Sequence, residues 1–282
     1  MAAIYLTQFT FPSEKKEEDG LWNSGMREVY PFHLLSGRGL GKIALAPVTI
    51  LHGGNGSGKS TALNVIAEKL GLQRDSIFHK SRYFLDYAAL CEAETAEILP
   101  KHSRIITSDD VFDYMLEIRS LNEGVDLKRE DIHREYLDAK YTQFKVRSMA
   151  DYEELRKVNE TRRKTQTQFT KERLREKIRE LSNGESAFGY FTNKIGESAF
   201  YILDEPENSL SPERQMALKQ FIEDSVRFFG CQFLLSTHSP FLLAMPGAKI
   251  YDLDAEPACV RRWTELENVK IYREFFMRNE DF

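Results

Sequence analysis

The sequence predicts an α/β fold with a mostly parallel sheet and a helical insertion, on three observations. A glycine-rich stretch at 53–61 stands between an apolar run and a helix-like segment. Short apolar runs alternate with helix-like segments from residue 200 onwards. Residues 109–180 hold few prolines and glycines and many charges. Strands separated by helices favour parallel pairing, with helices on the faces of the sheet.

The glycine-rich stretch is predicted to bind phosphate. It fits the pattern G-x-x-x-x-G-K-[ST], in which backbone N–H groups surround phosphate oxygens. Residues 48–51 before it have strand character, and residues 61–70 after it have the apolar spacing of a helix. Lys59 is expected to reach the β- and γ-phosphates of a nucleotide, and the hydroxyl of Ser60 to bind Mg²⁺. The predicted phosphate-binding residues are Gly53, Gly54, Asn55, Gly56, Ser57, Gly58, Lys59, Ser60 and Thr61.

Length and composition are those of one large α/β domain, or of a domain with a substantial insertion. The chain has 282 residues, of which 41% are hydrophobic and 29% charged. No apolar stretch approaches the ~20 residues that cross a bilayer, and the N-terminus lacks the basic start and apolar centre of a secretory signal. The widely spaced Cys91, Cys231 and Cys259 fit reduced packing thiols. We therefore expect a cytoplasmic protein with no membrane contact.

The net charge of −5 does not indicate a nucleic-acid binder, but one segment is locally basic. Residues 161–180 carry eight basic and three acidic side chains, a local balance of +5. This segment fits either a patch for phosphate backbones or an acidic partner, or a solvated helix face. The basic residues are Arg162, Arg163, Lys164, Lys171, Arg173, Arg175, Lys177 and Arg179.

The remaining segments divide the chain into three parts. Residues 13–19 are expected to form a charged surface loop. Residues 1–108 are expected to form the first part of a nucleotide-binding core, residues 109–180 the helical insertion, and residues 181–282 the rest of the core. The strand and helix alternation on either side of the insertion is the basis for these boundaries.

Polar residues follow two of the predicted strands, where ligands bind in open α/β sheets. The strand at 200–203 is followed by Asp204 and Glu205, and the strand at 232–235 leads to His238. Asp204 is expected to hold Mg²⁺, and Glu205 to orient and polarise the water that attacks the γ-phosphate. His238 is expected to sense the γ-phosphate and hold that water. Read alone, Asp-Glu-Pro fits a turn and His238 a strand-end histidine, but their order behind a phosphate loop favours catalysis.

Residues 181–186, Leu-Ser-Asn-Gly-Glu-Ser, resemble the L-S-G-G-Q signature of the ATP-binding cassette superfamily. The match keeps Leu181, Ser182 and Gly184. The resemblance implies that Ser182 and Gly184 bind the γ-phosphate of ATP held by a second copy, in a head-to-tail homodimer that forms with ATP. Segment 209–212, Ser-Leu-Ser-Pro, is similar to the family's D-loop.

Within the superfamily, segments 203–215 and 236–243 look like the soluble RecF/SMC-like "AAA family" ATPases. The family's Q-loop glutamine has no clear counterpart, and Ser108, Asp109 and Gln143 are the candidates for its place. The resemblance implies Mg-dependent hydrolysis of ATP that drives a conformational switch. The partner would be DNA or RNA, or a separate effector such as a nuclease or toxin. The alternative is the energising subunit of an ABC transporter, although residues 186–197 lack the arginine-bearing helix usual there.

Overall fold

The computed structural model describes residues 3–22, 30–141 and 183–279. The chain divides into two compact units, one made of Met1–Asp113 with Ser182–Phe282 and the other of Tyr114–Leu181. The bounds of the insertion expected from the sequence, 109–180, stay a prediction, because much of that segment lies outside the described residues. The basic segment 161–180 also lies outside them.

A six-stranded sheet forms the centre of the first unit, in the order β5-β6-β7-β3-β8-β9. Its neighbouring strands pair in parallel, except for β9, which is antiparallel to β8. The predicted α/β fold with a mostly parallel sheet is thus confirmed. The strands are β3 (Val48–His52), β5 (Arg104–Thr107), β6 (Phe200–Asp204), β7 (Gln232–Ser236), β8 (Lys249–Asp252) and β9 (Cys259–Arg261).

The central strands are apolar because both faces of the sheet are covered. Every residue of β3, β6 and β7 is buried. The helices are α1 (Glu14–Trp22), α2 (Lys59–Leu70), α3 (Phe84–Leu90), α4 (Ser108–Tyr141), α5 (Asn183–Lys194), α6 (Pro212–Phe228), α7 (Pro240–Leu243) and α8 (Glu267–Arg278). Among the described residues, no helix combines the length and the hydropathy needed to span a bilayer.

The sequence did not indicate a second, antiparallel sheet of three strands. Its order is β2-β1-β4, with β1 at Leu6–Thr10, β2 at Lys42–Ala44 and β4 at Glu92–Thr95. These strands are three to five residues long, and β4 is mostly exposed and contains two glutamates. Such short polar segments carry little of the hydrophobic pattern that identifies strands.

The expectation of a charged surface loop at 13–19 was wrong, because residues 14–19 lie in α1 (Glu14–Trp22). Its charges are not all solvated, since Glu17 is fully buried. The Glu17 carboxylate accepts hydrogen bonds from the His33 N–H, the Ser36 hydroxyl and the Tyr87 hydroxyl. A buried carboxylate is tolerated when donors surround it, and donors so distant in sequence were not visible from the segment itself.

Gln232, the first residue of β7, links the two sheets through its buried side chain. Its Oε1 accepts from the N–H groups of Tyr5 and Leu6 at 2.8 and 2.9 Å. Its Nε2 donates to the carbonyl oxygens of Leu6 and Ala46 at 2.8 and 3.2 Å. All four hydrogen-bonding positions of the amide are therefore used, and backbone groups of the small sheet depend on them.

We predict that Gln232→Leu destabilises the protein by about 2–4 kcal/mol, because it leaves buried N–H groups without acceptors. The free energy of unfolding from urea titration measures this loss. Gln220→Leu is the matched control, since Gln220 is exposed and its side chain donates to Asp224 within the same helix. Equal losses for the two variants would contradict the linking role of Gln232.

Candidate active site

The parallel register brings three strand ends to one edge of the sheet. In the pairing of β6 with β7, Asp204 lies opposite Ser236, and in the pairing of β3 with β7, Leu51 lies opposite Ser236. The loops that follow these strands, at 53–58, 205–211 and 237–239, therefore start side by side. This edge is where open α/β sheets bind ligands.

Lys59, the first residue of α2, is buried within the loop that it follows. Its side chain is 4% exposed, and its Nζ donates to the carbonyl oxygens of Gly53 and Gly54 at 2.8 and 3.1 Å. Burial lowers the pKa of Lys59, while the nearby carboxylates, Glu205 first among them, act in the opposite direction. The ammonium group is thus held at the centre of the loop.

Two positions of the loop require glycine because other atoms come very close. A Cβ on Gly58 would lie 2.9 Å from Cδ2 of Leu35, and the φ of Gly58 is +93°, a left-handed value. A Cβ on Gly53 would lie 2.6 Å from the Ser57 hydroxyl oxygen. Glycine therefore allows the loop to fold tightly onto itself and onto residue 35.

The remaining residues of the loop face in different directions. Asn55 and Gly56 are exposed at its tip, where the Gly56 carbonyl accepts from Arg38 Nη2 at 3.4 Å. Ser57 Oγ is buried, with no hydrogen-bond partner in the part of the chain that the structure describes. The hydroxyl of Thr61 lies 3.2 Å from that of Tyr30. A buried hydroxyl inside a glycine loop fits a site for phosphate oxygens.

Asp204 and Ser60 lie together, as the sequence predicts. The Ser60 hydroxyl donates to Asp204 Oδ1 at 3.2 Å, and the Ser236 hydroxyl donates to the same oxygen at 2.5 Å. Burial raises the pKa of Asp204, while the two hydroxyl groups oppose that change. A carboxylate and a hydroxyl beside a phosphate loop are the hard oxygen ligands that suit Mg²⁺, so the residues present fit that ion.

The Glu205 carboxylate lies between the side chains of Lys59 and His238. Its Oε1 lies 3.8 Å from Lys59 Nζ and 3.7 Å from His238 Nε2. Its backbone is left-handed, with φ at +47°, and its N–H donates to the backbone and side-chain oxygens of Ser236 at 3.2 and 3.1 Å. A non-glycine residue held in this strained region is typical of functional sites.

His238 completes the group at this edge. Its Nε2 faces Glu205 and is buried, and its ring centroid lies 6.0 Å from that of His52. Burial lowers the pKa of His238, and the charge of Lys59 lowers it further. Both effects favour the neutral imidazole, in which one ring nitrogen carries a proton and the other can accept one.

The signature-like segment lies only partly within the described residues. Ser182 is outside them, and Gly184 belongs to the first turn of α5. The atoms nearest to a Cβ built on Gly184 belong to Ser209, Ser211 and Arg214. Arg214 Nη2 also donates to Glu185 Oε1 at 3.1 Å. Gly184 thus neighbours the D-loop-like segment of its own chain.

A cavity of about 340 Å³ opens beside Ser60 and Asp204. Ser108 and Asp109, two candidates for the place of the missing glutamine, line it together with Glu205. They follow β5, whose last residue pairs with Asp204. Gln143, the third candidate, lies outside the described residues.

Three further residues contact the site, and no sequence motif indicates a role for any of them. Ser236 fixes both Asp204 and Glu205, as described above. Both carboxylate oxygens of Asp254 accept from the Gly54 N–H, at 2.9 and 2.8 Å. Glu207 accepts from backbone N–H groups of the His238 loop. The available signal was position, since each residue follows or ends a strand at the same edge of the sheet.

Comparison with known families assigns the chain to a family. The model of the family described as "ABC transporter" matches residues 41–208, which is more than half of the chain. The chain belongs to this ATP-binding cassette family. It is therefore an ABC-type ATPase domain, in agreement with the predicted class. A comparison with curated proteins gives no match.

Solved structures similar to this chain include ABC cassettes and SMC heads. The SMC head domain from Thermotoga maritima has 13% identity and a TM-score of 0.40, covering 92% of this chain and 98% of that chain. An SMC head with an extended coiled coil, bound to the C-terminal domain of ScpA derived from Pyrococcus furiosus, has 14% identity and a TM-score of 0.39, covering 83% and 94%. A dimeric, post-hydrolysis ATP-binding cassette bound to ADP and Pi has 14% identity and a TM-score of 0.36, covering 80% and 90%.

We predict that Gly58→Ala is more damaging than Gly56→Ala. Both glycines have positive φ, so each substitution costs about 1–2 kcal/mol of backbone strain. Only Gly58 faces a fully buried neighbour, Leu35, so its variant adds about 1–3 kcal/mol of overpacking. Free energies of unfolding from urea titration compare the two. A Gly56→Ala variant that is as unstable as Gly58→Ala would show that crowding by Leu35 is unimportant.

Proposed function

We propose that this chain is a Mg-dependent ATPase that hydrolyses ATP to ADP and phosphate at a head-to-tail dimer interface. The observation that carries the proposal is the position of the Glu205 carboxylate. One of its oxygens lies within 4 Å of both Lys59 Nζ and His238 Nε2, at the end of the strand that carries Asp204. A base, a cation and a histidine converge there behind a phosphate loop.

The residues divide between binding and chemistry. The N–H groups of the glycine loop and the Lys59 ammonium would hold the phosphates. Ser60 and Asp204 would hold Mg²⁺, which neutralises phosphate charge when it is bound. Glu205 would orient the attacking water and accept its proton as the water oxygen bonds to the γ-phosphorus and the bond to the β–γ bridging oxygen breaks. His238 would hold that water or a γ-oxygen by a hydrogen bond.

A second copy would complete the site through Ser182 and Gly184. The twelve-residue helix α5 begins at Asn183, and the N-terminus of a helix offers N–H donors to an anion. Within its own chain this helix start lies beside residues 209–211. The sharing of one ATP by two chains would make dimerisation depend on the nucleotide.

The partner of this ATPase is proposed from the resemblance of segments 203–215 and 236–243 to RecF/SMC-like ATPases. The cycle of dimerisation and separation would act as a conformational switch for nucleic acid, or for a separate defence or repair effector such as a nuclease or toxin. The second candidate is an energising subunit of a transporter, which the description of the matching family model favours. Recovery of the chain in membranes when it is expressed with the products of neighbouring genes would support that candidate.

We predict that Glu205→Gln abolishes turnover and traps an ATP-bound dimer. The amide keeps the shape of the side chain but loses the base, so we expect kcat to fall at least about 100-fold. Size-exclusion chromatography with and without Mg-ATP measures the dimer, and phosphate release measures turnover. A variant that elutes as a monomer at saturating Mg-ATP would contradict the dimer, and unchanged turnover would contradict the role of Glu205.

We predict that Lys59→Ala weakens ATP binding by at least about 10-fold, because it removes the one buried cation of the loop that can reach phosphate oxygens. Lys69→Ala is the matched control on the same helix, since Lys69 Nζ bonds to the Ala89 carbonyl away from the loop. Fluorescence titration with an ATP analogue gives both affinities. Equal affinities for the two variants would refute the assignment of Lys59.

A further inference from the structure

The loop that carries His238 is held by side chains from two other loops or strands. Glu207 Oε1 accepts from the N–H of His238 at 2.5 Å and from the N–H of Ser239 at 3.2 Å. On the other side, Nδ1 of His52 lies 3.2 Å from the carbonyl oxygen of Thr237. Because a carbonyl only accepts, His52 Nδ1 must carry the proton in this contact.

These contacts join the parts of the site that come from separate strands. His52 is the last residue of β3, directly before the glycine loop, and it is 3% exposed. Glu207 lies in the turn that follows Glu205, and the amide of Asn208 in the same turn donates to Glu205 Oε2 at 3.0 Å. A shift of this turn would therefore move the supports of Glu205 and His238 together.

The Glu207 carboxylate has the surroundings of a fixed structural group and not those of a mobile surface group. Its Oε2 is buried, and its Oε1 takes two backbone N–H donors that belong to no helix or strand. Hydrogen bonds from N–H groups to a carboxylate are among the stronger ones in proteins. Burial raises the pKa of Glu207, while the hydrogen bond from the His238 N–H opposes that change.

We propose that Glu207 is a positioning residue that sets the distance between His238 and Glu205. The inference rests on the proposed ATPase function, because it acts through the two groups assigned to the chemistry. The hydrogen bonds of Glu207 Oε1 run to the backbone of the His238 loop. Its carboxylate fixes the backbone at 238–239, and that backbone fixes His238 Nε2 at 3.7 Å from Glu205 Oε1. Misplacement of a catalytic group by about 1 Å lowers rates by up to ~100-fold.

The test separates the effect of the length of the Glu207 side chain from the effect of its charge. Glu207→Gln keeps an acceptor oxygen at the same distance but removes the charge, so we expect kcat within about threefold of the unaltered protein. Glu207→Asp keeps the charge but shortens the side chain by one methylene, so we expect kcat to fall about 10- to 100-fold with little change in the KM for ATP. Normal turnover in Glu207→Asp, or loss of turnover in Glu207→Gln, would overturn the proposal.

A double-mutant cycle shows whether Glu207 acts through His238. In a His238→Ala background, Glu207→Asp should change kcat by less than about twofold, because the group it positions is gone. If Glu207→Asp lowers kcat by the same factor with and without His238→Ala, the two residues act independently and the proposal is overturned. Gln215→Ala is the matched control, since Gln215 accepts from the Ser239 hydroxyl on the same loop and leaves the His238 N–H untouched. A loss of kcat in this control equal to that of Glu207→Asp would overturn the proposal, because any disturbance of the loop would then be equally harmful.

A readout without turnover distinguishes failure of this inference from failure of the proposed function. The imidazole nitrogen signals of His238 in NMR spectra, identified by their loss in His238→Ala, should shift in Glu207→Asp and stay in place in Glu207→Gln. Signals unmoved in Glu207→Asp would overturn the positioning role even in an active ATPase. An unaltered protein that hydrolyses no Mg-ATP would overturn the proposed function, and the positioning role in catalysis with it.

Discussion

The parallel pairing of β6, β7 and β3 is the constraint on which the rest of the site depends. Parallel strands end at one edge, so residues more than 150 positions apart along the chain start adjacent loops there. The register of β6 and β7 puts Asp204 opposite Ser236, whose hydroxyl bonds to its carboxylate. A slip of one residue would turn the side chains of a strand to the other face and separate these groups.

Buried polar side chains hold in place the loops and strands that the sheet brings together. Gln232 satisfies backbone groups of the small sheet, Glu17 gathers donors from three places, and Glu207 holds the backbone beside His238. Burial of each of these side chains costs free energy when it has no hydrogen-bond partner, and hydrogen bonds offset that cost. Such groups therefore favour one arrangement of the loops over others, which hydrophobic packing alone specifies less sharply.

Much of the fold and of the site could be predicted from local patterns. The residues at 53–61, the strands at 48–52, 200–204 and 232–236, and the pairing of Ser60 with Asp204 all follow from motifs read with the periodicity around them. The many charges of segment 13–19 predict a solvated loop, whereas the segment is helical and one of its glutamates, Glu17, is buried. The small antiparallel sheet could not be predicted as a sheet, because its strands are only three to five residues long and too short to show alternation.

The sequence by itself determined the class of protein, the glycine loop at 53–61 and the strand-end acids, because each of these is encoded by neighbouring residues. Only the tertiary structure decided which distant groups support them. Leu35 requires glycine at 58, Asp254 binds the Gly54 N–H, and Glu207 holds His238. These contacts join positions between 20 and 200 residues apart, and no local pattern records which buried donor will meet which acceptor once the strands have paired.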